Sequence, residues 1–277
     1  MYLLRKMVLA GLLFSAGVNM FAQESAYAYD ANGNLTKDLN KNIVDIQYNS
    51  LNLPSRIVFK NGDNISHVYS ADGSKLRTVW VADGDTLTTD YCGNVIYENG
   101  VPVRLMTDVG YIALSDTSYH YFIKDHQGNV RVVADEHGNA EEVNDYYAFG
   151  GLMSTSSRQS VQPYKYNGKE LETACGVNWY DYGARRYDPV LGRWNGVDPL
   201  CEDYYSENPY GYCGNNPVNY VDPNGLMKVL YNPDGTYKET THNNWFHNTF
   251  MGRQEYIDYG DRKVHLSESE FWQWQRS

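Results

Sequence analysis

The sequence predicts an all-β protein: β-hairpins stacked into a curled sheet, followed by a short α-helical or irregular C-terminal extension. Three observations carry this. Tyrosine outnumbers phenylalanine 26 to 8, and a ring with a hydroxyl at its edge suits a half-buried sheet face. Asn-Gly, Asp-Gly and Gly-Asn signals recur between short apolar runs, which is the pattern of hairpins. Those signals also repeat at about twenty residues, and units of that size bury a face only by stacking on neighbours.

The chain begins outside this pattern. Arg5 and Lys6 precede an apolar run from Met7 to about Val18, and polarity rises through Asn19 and Gln23. A charged start, a short apolar stretch and an exit near Ala22 predict a secretory signal peptide over residues 1–22. The run is short of the roughly 20 apolar residues that a membrane-spanning helix needs, so no membrane span is expected after its removal.

Repeats fill residues 23–118. Tyr29-Asp30-Ala31-Asn32-Gly33-Asn34-Leu35 is the first Tyr-Asp unit; Asn61-Gly62 and Tyr69-Ser70-Ala71-Asp72-Gly73 mark the next turns. Asp30, Asn32 and Asn34 alternate as calcium donors would, but the glycine falls at the fourth position of the run and not the sixth of an EF-hand loop, so a hairpin turn is expected. From Tyr119 to Phe149, turns at Asp125 to Asn129 and Asp135 to Asn139 predict a three-stranded meander.

The stretch Tyr180 to Leu226 is built from aromatics and turn-formers. It holds Tyr182, Ala184, Arg185, Tyr187, Asp188 and Pro189, then Gly192-Arg193-Trp194, then Asp198-Pro199, and finally Asp222-Pro223-Asn224-Gly225-Leu226. Asp-Pro starts a turn because the carboxylate bonds the backbone ahead of it while proline fixes φ. These ordered blocks resemble the RHS repeat-associated core domain, which ends the shells of RHS/YD-repeat proteins, and the resemblance covers residues 29 to 226. It implies a partial RHS shell of YD-repeat hairpins, a core block over 119–226 and a variable extension over 227–277.

The resemblance also implies chemistry. Asp198 and Asp222, with Arg193 nearby, would cut the chain's own backbone between Leu226 and Met227 in the manner of an aspartic protease. Two carboxylates held close cannot both ionise, so one acts as acid and the other as base. Arg193 would orient one carboxylate or stabilise the oxyanion. Each aspartate equally suits a structural role, capping its own Asp-Pro turn.

The function expected is an exported RHS-repeat core protein, a shell fragment or scaffold that presents a toxin-like extension in intercellular competition, with self-cleavage from it as the chemistry that the resemblance implies. The rival is a non-catalytic surface or adhesive module binding carbohydrate or a protein. Partners would be other RHS-repeat chains or an immunity protein. A net charge of −11 argues against nucleic-acid binding by the core. In the extension, His242, His247 and His265 with Glu255 or Asp258 could serve acid-base chemistry, although about fifty residues is small for an enzyme core. Ser267 to Glu270 reads as a capping box opening a short helix that carries Phe271 and Trp274.

No cofactor is called for. Cys92, Cys175, Cys201 and Cys213 lack zinc-site spacing; they allow two disulfides in any of three pairings, or none. No phosphate-cradling loop or serine-nucleophile elbow is present.

Overall fold

A computed structural model describes residues 25–157, 161–203 and 207–226, together with the strands Val229–Tyr231, Tyr237–Thr240, Glu255–Asp258 and Lys263–Leu266. The signal peptide, His242, His247 and the helix expected after Ser267 lie outside the described residues.

The fold is all-β. Thirteen strands form one antiparallel meander in strict chain order: β1 (Tyr27–Tyr29), β2 (Leu35–Asp38), β3 (Ile43–Tyr48), β4 (Pro54–Phe59), β5 (Asn64–Tyr69), β6 (Lys75–Ala82), β7 (Asp85–Cys92), β8 (Val95–Glu98), β9 (Val101–Thr107), β10 (Gly110–Ala113), β11 (Tyr119–Lys124), β12 (Val130–Asp135) and β13 (Ala140–Val143). The expected meander is β11 to β13, and β10 pairs with β11 so that the sheet runs on without a break at residue 119.

A recurring turn joins neighbouring strands at three connections of the meander. In Asp30 to Asn34 the aspartate Oδ1 accepts from the Asn32 and Asn34 amides at 2.9 and 2.8 Å, while its Oδ2 accepts from the Asn34 side chain at 3.0 Å. Gly33 closes the turn onto the Asp30 carbonyl at 3.0 Å with φ of +78°, a conformation open to glycine at little steric cost. The same five-residue lock recurs at Asp125 to Asn129 and at Asp135 to Asn139. One aspartate thus satisfies three donors that a tight turn would otherwise leave unpaired. The Asp30 oxygens that suggested calcium are occupied in folding the turn.

A second, four-stranded sheet packs on the first: β14 (Glu170–Glu172), β15 (Trp179–Asp181), β16 (Arg186–Asp188) and β17 (Arg193–Trp194). Leu35, Ile43, Ile46, Ile57, Phe59 and Ile65 of the meander close over Val177 and Trp179. Each such side chain contributes about 1.5–3 kcal/mol by leaving water. A tyrosine-rich cluster lies within the core block, where Tyr166, Tyr180, Tyr182, Tyr187, Trp194 and Tyr212 pack together.

Between the sheets lies a layer of charge. Lys75 of β6 reaches Glu170 at 2.8 Å and Asp181 at 2.7 Å; Tyr91 of β7 donates to Glu170 at 2.6 Å; Arg186 meets Asp181 and Tyr69. Burial alone would raise the Glu170 carboxyl, but Lys75 and Tyr91 outweigh it and hold the group below its ordinary value. His67 is buried against Thr78 and Glu172, and desolvation, with Arg186 and Lys75 nearby, pushes it well below 6.5. Both groups act in one direction. At these two groups the folded state binds fewer protons than the unfolded chain, so their contribution to docking weakens as pH falls through the ordinary values of His67 and then Glu170. Burial raises the Glu172 carboxyl, which acts in the opposite direction.

Two small sheets complete the described chain. Tyr220–Val221 (β18) pairs with Val229–Tyr231 (β19), which pairs with Tyr237–Thr240 (β20); Glu255–Asp258 (β21) pairs with Lys263–Leu266 (β22). Glu255, Asp258 and His265 therefore sit on one hairpin, with His265 opposite Tyr256 in register. The four cysteines are all thiols: Cys92 is exposed, Cys175 and Cys201 are half-buried, and Cys213 is buried.

Gly33 and Gly138 separate conformation from packing. A Cβ on Gly33 would lie 2.5 Å from Val197 and 2.7 Å from the Tyr210 hydroxyl, whereas one on Gly138 meets nothing within 4 Å. Both have positive φ. Gly138→Ala should therefore cost about 1 kcal/mol from backbone strain, and Gly33→Ala about 1–3 kcal/mol more from overpacking. Denaturant unfolding of the two variants checks this; equal losses would mean that the first turn is not docked on the core block.

Candidate functional site

The loop that follows β18 carries Asp222 to Leu226, and its backbone is held by donors from three places. Lys169 Nζ donates to the Pro223 carbonyl at 2.6 Å, the Ala184 amide to the Asn224 carbonyl at 3.2 Å, and Arg185 Nε to the Gly225 carbonyl at 2.6 Å. From within, Asp222 Oδ1 accepts from the amides of Asn224, Gly225 and Leu226 at 3.1, 2.7 and 3.2 Å. Gly225 has φ of +80°, and a Cβ there would press on the Arg185 amide at 3.1 Å. Three successive carbonyls, those of Pro223, Asn224 and Gly225, are fixed just ahead of Leu226.

Arg185 is the centre of this arrangement. Its guanidinium lies over the Trp194 ring at 4.3 Å, donates from Nη1 to the Pro209 carbonyl at 3.2 Å and from Nη2 to Asp198 Oδ2 at 2.7 Å, and stands 3.7 Å from Asp222 Oδ2. The structure thus brings Asp198 and Asp222 to one guanidinium. It does not bring Arg193 there: Arg193 is exposed on β17, opposite Asp188 in register, at a groove lined by Tyr147, Phe149, Val190 and Leu191. The arginine that touches both carboxylates is Arg185.

Arg185 lay within the quoted motif, but Arg185 and Arg186 are adjacent and a motif does not say which way either side chain turns. Extended backbone sends neighbours to opposite sides. Arg186 meets Asp181 and Tyr69 in the layer between the sheets, and Arg185 meets the aspartates. That alternation was the available signal.

Electrostatics makes the two carboxylates unequal. Burial pushes Asp222 up to about 6, against the opposing pull of Arg185 and the loop amides, with Asp198 adding to the rise. Burial also raises Asp198, opposed by Arg185 and by the Leu200 amide, which donates to its Oδ1 at 2.8 Å. Both aspartates do cap their own turns, and those turns leave the Oδ2 atoms facing Arg185. A cleft of about 30 Å3 opens at Arg185, Asp198, Asp222 and Leu226, and a site needs roughly 10–15 Å3 to hold one water. Two desolvated carboxyls at one guanidinium, beside such a cleft and an immobilised loop, are groups suited to acid-base hydrolysis of an amide.

The two arginines differ in what their loss should cost. Arg185→Leu leaves the buried Asp222 and the half-buried Asp198 without their cation and should destabilise by about 3–5 kcal/mol. Arg193→Leu, at an exposed position, should stay within about 0.5 kcal/mol of the parent. Denaturant titration of both variants measures this, and similar losses would overturn the assignment of Arg185 as the central cation.

No family model matches the chain. It is 29% identical over 233 residues to Salivary gland surface protein 1 of Aedes aegypti, a match that covers 75% of this chain and 7% of that protein. Over 116 residues it is 36% identical to toxin subunit YenC1 of Yersinia entomophaga, covering 40% of this chain and 12% of the subunit. Among solved structures, the Photorhabdus luminescens Tc holotoxin pore with a substituted TccC3 aligns at a TM-score of 0.61 and 21% identity, over 76% of this chain and 11% of that one. The last likeness shows a shared fold. The chain spans about a tenth of the length of each of these proteins. At that coarse level, the likenesses support the RHS-type, toxin-associated assignment that the motifs suggest.

Proposed function

We propose that this chain is an exported RHS-type shell segment that hydrolyses its own backbone between Leu226 and Met227, separating residues 227–277 as a toxin-like extension used in intercellular competition. The observation that carries the reading is the sharing of Arg185 by Asp198 and Asp222 beside the clamped loop that ends at Leu226. One carboxylate takes a proton from water as the water oxygen bonds to the Leu226 carbonyl carbon. The other, protonated, supports the developing oxyanion and then passes its proton to the Met227 nitrogen as the C–N bond breaks. Arg185 holds the pair close in a desolvated site, and Lys169 and Ala184 hold the loop.

A toxin subunit among the relatives supports the wider reading, and other RHS-type chains are then the natural partners of so short a shell segment, with an immunity protein guarding against the extension. The rival reading has one observation in its favour. A groove of about 840 Å3 is bordered by the exposed side chains of Tyr147, Val190 and Leu191 and could take a partner protein or a sugar. It contributes nothing to the aspartate pair.

Mass analysis of the purified chain under denaturing conditions tests the proposal. The parent should give a fragment ending at Leu226 and one beginning at Met227. Asp198→Asn and Asp222→Asn should each leave the chain whole, whereas Asp72→Asn, on an exposed turn, should cleave normally. The rate should fall as pH rises through about 6, because the shared proton leaves Asp222 there. A parent chain that remains whole across that range would overturn self-cleavage and leave the scaffold reading in its place.

A further inference from the structure

A second buried cluster stands apart from the aspartate site, where the last strand of the meander meets the segment entering the core block. Glu142 on β13, Asn144 just beyond it, Gln162 and Lys165 are 0, 0, 2 and 1% exposed. Glu142 Oε1 accepts from Lys165 Nζ at 2.5 Å, from Asn144 Nδ2 at 2.5 Å and from Gln162 Nε2 at 3.1 Å. The backbone fixes these positions: the Val130 amide donates to the Lys165 carbonyl at 3.1 Å, the Asn144 amide to the Arg131 carbonyl at 2.8 Å, and Asn144 Nδ2 also to the Val130 carbonyl at 3.1 Å.

The distribution of bonds is unusual for a structural ion pair. Three donors converge on one carboxylate oxygen, while Glu142 Oε2 and Asn144 Oδ1 are buried with no hydrogen-bond partner. Groups kept only for stability would be expected to pair their acceptors. Because each is 2.5 Å from the same oxygen, the amine and amide nitrogens can be no farther apart than about 5 Å. An amine, a carboxamide and a proton carrier are held together away from water.

We infer that Lys165 and Asn144 join in an intramolecular isopeptide bond, with Glu142 as the proton carrier. Glu142 takes a proton from the Lys165 ammonium, and the free amine attacks Asn144 Cγ. A bond forms between Nζ and Cγ; the bond between Cγ and Nδ2 breaks, and the amide nitrogen leaves as ammonia with a second proton from the lysine. The first proton stays on Glu142. Atoms and charge balance with no oxidant or other reagent. Burial lowers the Lys165 pKa, opposed by its hydrogen bond to Glu142, which brings the nucleophilic amine within reach. Gln162 and Lys165 also line a cavity of about 430 Å3 that can receive the ammonia. The link would tie the chain just beyond β13, the edge of the thirteen-stranded meander, to the segment that leads into β14 of the second sheet.

The test is a mass and peptide map of the parent protein, read on whichever piece carries residues 132–169, whole chain or fragment ending at Leu226. The linked chain should be lighter by one ammonia, about 17 Da. Trypsin, unable to cut at acylated Lys165, should leave residues 132–158 joined to residues 159–169. Cyclisation of Gln23, were it the mature N-terminus, loses the same mass, so the joined peptide decides. Lys165→Arg and Glu142→Gln should each give separate peptides at full mass. Should the parent itself yield an unlinked peptide 132–158 and normal cleavage after Lys165, the inference is wrong and the cluster is an ion pair alone. The parent's result does not depend on whether any variant folds.

Discussion

The buried guanidinium of Arg185 is the constraint around which the core block is arranged. An arginine does not shed its charge in a protein, so once removed from water it must be met by carboxylates, carbonyls or a ring face. Here it is met by all three: two aspartates from turns far apart in the chain, two backbone carbonyls and Trp194. The Trp194 strand, the segment around Pro209 and the Asp222 loop have to converge for that charge to be tolerated. The same convergence makes the aspartates a pair and raises Asp222 to a pKa of about 6.

Much of the first sheet was legible because its information is local. An aspartate, a glycine three positions on and an asparagine after it fold a turn with their own atoms, and a tight turn forces the flanking strands to pair. The strand order of the meander follows from that rule repeated. Tyrosine content pointed to half-buried sheet faces, whereas Tyr166, Tyr180 and Tyr187 are fully buried together in the core block.

What was not legible depends on pairs distant in sequence. Lys75 and Glu170 are 95 positions apart, and nothing near either residue announces the other. The site divided in the same way. Asp198 and Asp222 were named through a resemblance that rests on local turn motifs, whereas the meeting of Arg185 with both carboxylates depends on segments distant in sequence being brought together. Glu142, Asn144 and Lys165 carried no motif at all; their shared burial is a property of the fold.

The pairing of Tyr220 with Leu230 and of Val221 with Val229 places the Asp222 to Leu226 loop inside a hairpin. A break in that loop would sever the covalent chain and leave the ladder across it zipped. Under the proposed self-cleavage, cutting and parting would be separate events with separate barriers: hydrolysis would be governed by the carboxylates, and departure by the peeling of two short strands. So short a ladder yields easily to pull, crowding or a competing strand. The extension would leave when something tugs it, on a clock that the chemistry does not set.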